Sequence, residues 1–183
     1  MIKTIEIGTL KCVCIPNRAS KRVVYMIYPA VSVFSEDWLT QQAEKNSCSL
    51  VAIYVAPDEW DNLLTPWQAP GVPKGSAPFK GQASEFYDML ISKVIPEAEN
   101  TLATGEIDRR DLAGVSLAGL FTLWQWMQFN TFHSIACISG SFWYSGFMEW
   151  FESQQIHSKE GLAYFLLGIE EPKANIKAFR PVG

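Results

Sequence analysis

Leu112-Ala113-Gly114-Val115-Ser116-Leu117-Ala118-Gly119-Leu120 decides how the rest of this 183-residue chain is read. An apolar run, Asp111–Val115, ends in a serine among small residues, and an apolar segment of helical length, about Leu117 to Phe129, follows it. A serine at the tip of a strand-to-helix turn exposes its Oγ, and small neighbours let that turn close. Gly114 stands two residues before Ser116, with Ala118 and Gly119 two and three after it, so the pattern is G-x-S-x-A-G. The helix N-terminus that follows would direct free backbone N–H groups and partial positive charge beside the hydroxyl, where an oxyanion could develop. A serine beside small residues also reads as a plain helix cap. The neighbours favour the nucleophile: the segment after it is apolar nearly all round (Leu117, Leu120, Phe121, Leu123, Trp124, Trp126, Met127), as a helix inside a layered sandwich would be.

Outward from that turn, apolar runs alternate with helical segments. Ile2–Ile7 and Leu10–Ile15, separated by Gly8-Thr9, predict an N-terminal hairpin. Arg22–Tyr28, Ser49–Val55, Ser134–Ser139 and Leu162–Gly168 predict strands. Asp37–Lys45, with Ser35 or Glu36 at its start, and Gln82–Thr101, kinked or ended near Pro96, predict helices. The implied fold class is α/β: one domain over 1–183, with a mostly parallel sheet between two helical layers and an antiparallel hairpin at its start. Ligands in such sheets bind at the carboxyl ends of the strands. Ser116, Pro29-Ala30, Pro57-Asp58, Gly140-Ser141 and Gly168–Glu171 all fall there. Asp58–Gly81 carries Pro66, Pro70, Pro73 and Pro78 with Trp60, Trp67 and Phe79. It reads as a long loop, either lying over the site or packed by its own aromatics.

Ala113-Gly114-Val115-Ser116-Leu117-Ala118-Gly119-Leu120, followed by Ile138-Ser139-Gly140-Ser141-Phe142-Trp143, resembles the esterase family of α/β-hydrolases that includes feruloyl esterases, esterase D and enterochelin esterases. The resemblance runs from about Arg22 to Lys173. It implies an α/β-hydrolase fold and carboxylic-ester hydrolysis through an acyl-enzyme on Ser116, with a small-molecule ester as partner. It puts the catalytic acid at the third residue after Gly168, which is Glu171, with Glu170 beside it as the fallback. In that family the histidine arrives after one further strand, with a closing helix behind it. The resemblance therefore implies a chain lacking its last strand, last helix and catalytic histidine.

An alcohol needs a base to act as a nucleophile. Of the two histidines, His133 is expected at the opposite edge of the sheet, and His157 lies in the polar stretch Ser153–Gly161; both precede the acid, against the chain order of this fold. The oxyanion hole is expected to use the N–H of Leu117 and one from Ala30 or Val31, since Pro29 has none. Trp60, Trp67, Phe142 and Trp143 are candidates for an acyl or aromatic pocket, or for ordinary core. Two rival readings stay open: a non-catalytic small-molecule binder on the same scaffold, and an acyltransferase.

Composition narrows the field. Hydrophobic residues make up 48% and charged residues 19%, as in a globular chain. The formal net charge of −4 offers no basic field for nucleic acid. No apolar run approaches the roughly 20 residues of a membrane span, and the N-terminus has no apolar signal core, so a cytoplasmic protein is expected. The four cysteines, Cys12, Cys14, Cys48 and Cys137, form no C-x-x-C and have no nearby histidine. Reduced thiols, no metal and no cofactor are expected. A strand Leu162–Leu167 left near an unprotected sheet edge predicts a homo-oligomer.

Overall fold

The computed structural model describes residues 2–32, 34–155 and 160–169. Seven strands form one sheet in the order β1-β2-β4-β3-β5-β6-β7. The hairpin β1 (Lys3–Ile7) and β2 (Leu10–Ile15) turns at Gly8, whose φ of 60° is glycine's own territory. β2 runs antiparallel to β4 (Ser49–Val55). From there β3 (Arg22–Pro29), β5 (Arg109–Val115), β6 (Ser134–Ile138) and β7 (Ala163–Leu166) are all parallel. β4 and β5 leave β3 on opposite sides, so the strand order reverses there. The carboxyl end of β5 lies at this switch point, where ligands enter open α/β sheets.

Helices cover both faces. On one face lies α1 (Glu36–Lys45), which packs Leu39 and Ala43 on Val13, Met26, Leu50 and Ala52. Ser35 caps it by accepting from the Trp38 N–H at 3.2 Å, as the sequence implies. The other face buries α3 (Ala83–Met89), α4 (Ile95–Leu102) and α5 (Leu117–Gln128) over Val23, Tyr25, Ile27, Val51 and Ile53. Pro96 does not end the helical run. A π-helical turn, Leu90–Val94, precedes it, in which the Ile95 N–H donates to the Leu90 carbonyl, and the helical run continues through Pro96 in the first turn of α4.

The segment 58–81 differs from its sequence reading. Its first part is helix α2 (Pro57–Leu63), with Pro57 at the first helical position and Asp58 and Glu59 in the first turn. The high proline content beyond it masks this start. α6 (Phe147–Ser153) buries Phe147 against Trp67 and Phe142.

Two charge clusters fix the parallel register. Asp111 is buried and accepts from Arg22 Nε at 2.6 Å, Arg109 Nε at 2.9 Å and the Ser134 N–H at 3.0 Å, joining the starts of β3, β5 and β6. Glu99 on α4 takes Arg110 Nε and Nη2 at 2.6 and 2.7 Å and the Tyr25 hydroxyl at 2.9 Å, holding that helix to the sheet.

All four cysteines are free and buried. Burial pushes the Cys12 and Cys137 thiols up to about 12 and Cys14 to about 11. Unfolded thiols ionise near about 8.5, whereas these stay protonated; unfolding therefore releases protons above that value, and stability falls as pH rises. Native protein is expected to resist iodoacetamide at pH 8, to react at all four cysteines in guanidinium, and to show a lower denaturant midpoint at pH 10 than at pH 7. Prompt alkylation of native protein would contradict this packing.

Candidate active site

Ser116 sits between the last residue of β5 and the first of α5, with φ 57° and ψ −122°. A side-chain-bearing residue rarely adopts this conformation, and its cost is held by the surrounding contacts. The Ser116 N–H donates to the Ile138 carbonyl at 2.9 Å, while its own carbonyl accepts from Leu120 at 3.1 Å and Ser141 at 3.1 Å. The turn is thus pinned to β6, to the helix and to the loop after β6. Small residues make this geometry available. A Cβ on Gly114 would lie 2.3 Å from the Ala118 carbonyl oxygen, and one on Gly119 would lie 3.0 Å from Gly140 Cα. The alanine in place of the pattern's final glycine is accommodated, and Gly119 supplies the close approach one residue later.

The hydroxyl is not used as a cap: no side-chain hydrogen bond from Ser116 reaches the first turn of α5. Its Oγ instead lies 3.2 Å from the Oγ of buried Ser141. Both serines open on a cavity of about 280 Å³ lined also by Trp60, Asp61, Val72, Phe79, Leu117, Ser139 and Trp143. Leu117, the first residue of α5, has an N–H with no intrahelical acceptor. Helix N-terminus, part-buried hydroxyl and aromatic wall therefore meet in one hollow. That arrangement can hold an acyl group beside a nucleophile and place amide hydrogens on a developing negative oxygen.

The other sequence candidates divide. Trp60 and Trp143 line the cavity, whereas Trp67 and Phe142 do not. Trp67 donates Nε1 to the Ser145 carbonyl at 2.8 Å and stacks on Phe147, and Phe142 stacks on Phe147 at 5.6 Å. These two fasten the loops together. Ala30 departs from its expected role, because its N–H donates to the Val55 carbonyl at 2.8 Å and it lines a separate hollow with Phe34 and Tyr54. An engaged amide at that distance is closed to an oxyanion. Val31 is 75% exposed at the same strand end. His133 immediately precedes β6, and its N–H donates to the Arg110 carbonyl, at the end of the sheet away from Ser116. Glu170, Glu171 and His157 lie outside the described residues. Both readings of the loop after α2 find support: its Trp67 and Phe79 pack on Tyr144, while its Val72 and Phe79 form part of the cavity wall.

Sequence reading quoted Ser139 and Ser141 within the resemblance and placed Gly140-Ser141 at a strand end, without giving either a role, and it did not single out Asp61. The two serines follow β6, and it is their position there that brings them beside Ser116. Asp61 was hidden inside a segment read as loop. No group of His, Cys, Asp and Glu able to hold a metal occurs among the described residues, and no described helix is long and apolar enough to cross a membrane.

No family model matches the chain. The uncharacterized protein YbbA of Bacillus subtilis (strain 168) is 27% identical over 124 residues, which is 67% of this chain and 50% of that protein. The chain thus spans half the length of the curated relative it matches. Among solved structures, siderophore hydrolase EstB from Aspergillus nidulans is 18% identical with a TM-score of 0.69, over 94% of this chain and 70% of that one. The BES protein from Bacillus cereus gives 18% and 0.67, over 92% and 76%. The enterobactin esterase FES from Shigella flexneri gives 14% and 0.70, over 94% and 47%. The α/β fold read from the elbow outward is therefore one that these solved structures share, two of them named as a siderophore hydrolase and an enterobactin esterase.

Proposed function

We propose that this chain is a carboxylic-ester hydrolase acting through an acyl-enzyme on Ser116. One observation carries the reading: the only non-glycine residue at positive φ between β5 and α5 is a serine whose hydroxyl opens on the cavity. In the proposed step Ser116 Oγ attacks the ester carbonyl, the Leu117 N–H stabilises the oxyanion, and the alcohol leaves with a proton as the acyl-serine forms. Water then attacks that ester, releasing the acid and restoring the hydroxyl. Val31 is the proposed second amide, since Ala30 is engaged. Glu171 is the proposed acid, by its place after β7. Enzymes of the same fold are named for hydrolysing siderophores and enterobactin, so esters are the substrate class to try first.

A second reading, a binding protein on the same scaffold, draws on one observation: among the described residues no imidazole lines the cavity. A p-nitrophenyl acetate burst separates the two. The esterase reading expects release of about one p-nitrophenol per chain, followed by slower turnover. Linear release at the buffer rate would favour the binder.

We further propose that the chain self-associates through β7. Among the described strands, β1 at one edge carries Lys3 and Glu6, which guard against pairing, whereas in β7 at the other Tyr164, Phe165 and Leu166 are 62%, 56% and 63% exposed. Sedimentation of the wild type is expected to show a dimer or larger, and Phe165→Lys to shift it toward monomer. A wild type that remains monomeric at high micromolar concentration would refute the proposal.

A further inference from the structure

Among the described residues that line the Ser116 cavity, Asp61 alone carries a formal charge. It stands at the rim on α2, next to Trp60, and faces the hollow that Phe79 and Trp143 wall. It enters none of the ion pairs formed among the described residues. Partial burial raises its carboxyl above the ordinary carboxylate value. Lys80 does not line the cavity; its backbone N–H donates to Asn62 Oδ1 at 3.2 Å.

An anionic acyl or alcohol group would meet this carboxylate without any positive side chain among the described lining residues. A cationic one would find a carboxylate and indole rings side by side, the chemistry that binds ammonium groups by charge attraction and by the electron-rich ring face. We infer that the Ser116 cavity takes an ester that carries a cationic, ammonium-type group, with Asp61 as the group that recognises the charge beside Trp60 and Trp143. The inference deepens the esterase reading and rests on it for the word ester, but the recognition of charge is a binding property and is tested as one.

The probes are choline and its neutral isostere 3,3-dimethylbutan-1-ol, which differ in charge and share shape. Binding is followed by tryptophan fluorescence at low salt in the full chain. Choline is expected to bind about tenfold more tightly than the isostere, a contrast that weakens at high ionic strength. In Asp61→Asn the ratio of the two affinities is expected to fall to about one, while Asp37→Asn on α1 keeps the wild-type ratio. Equal affinities in the wild type, no binding of either probe, or a ratio untouched by Asp61→Asn would overturn the inference. Loss of the p-nitrophenyl acetate burst with the choline preference intact would instead count against the esterase reading alone.

Discussion

Gly114→Val is expected to cost at least about 4 kcal/mol and to leave little folded protein at room temperature, because it forces side-chain carbon into backbone rather than into space. The first added carbon would lie 2.3 Å from the Ala118 carbonyl oxygen, 2.4 Å from its carbon and 2.7 Å from Thr122 Oγ1. All three belong to α5. Relief requires the first turn of that helix to move off β5, and the helix buries Leu117, Leu120, Phe121 and Trp124 in the main core. An overpacked core usually loses about 1–3 kcal/mol, and a clash with a rigid backbone exceeds that range. Against a typical stability of about 5–15 kcal/mol the variant is marginal or unfolded. Denaturant titration followed by tryptophan fluorescence checks it. A midpoint equal to that of the wild type would mean that α5 does not rest on β5 as described.

Ser116 offers the opposite pairing of stability and chemistry. Ser116→Ala is expected to abolish the p-nitrophenol burst and to keep the fold, since the Oγ lines a cavity rather than the core. Ser116→Gly should abolish it too, yet unfold at a higher temperature than the wild type. Glycine adopts φ 57° and ψ −122° without a Cβ penalty. Relief of about 1–3 kcal/mol of strain exceeds its added chain entropy, leaving a net gain of about 1 kcal/mol. A residue that destabilises its own turn and is required for the reaction behaves as a functional residue, not as a cap. If Ser116→Gly melts below the wild type, the strain argument fails.

The sheet was legible because its inner strands read as apolar runs, Ser49–Val55 being buried throughout. Ser49–Val55 matches its reading residue for residue, and the hairpin, Arg22–Tyr28 and the Ser35 cap lie within a residue or two. The elbow was legible for the same local reason: Gly114 and Gly119 leave room that no larger residue would. What sequence could not give was which polar groups are already occupied. The Ala30 amide stands at the right strand end, yet it is committed to Val55 across a pairing that only the three-dimensional register reveals. Trp67 and Phe142 carry the same composition signal as Trp60 and Trp143, and which pair faces the cavity depends on α6, whose Phe147 draws the first two away. Asp61 was obscured by the prolines beyond α2, which gave the whole segment the look of a loop.

The reactivity of one oxygen decides the account. The folded chain, treated with a fluorophosphonate and then digested, should carry a single phosphonyl group on the peptide that contains Ser116, with fluoride displaced by Oγ. Ser139 and Ser141 should remain free, and Ser116→Ala should give no adduct. A folded sample that stays unlabelled, or one labelled equally with and without that hydroxyl, would contradict a nucleophile at the end of β5.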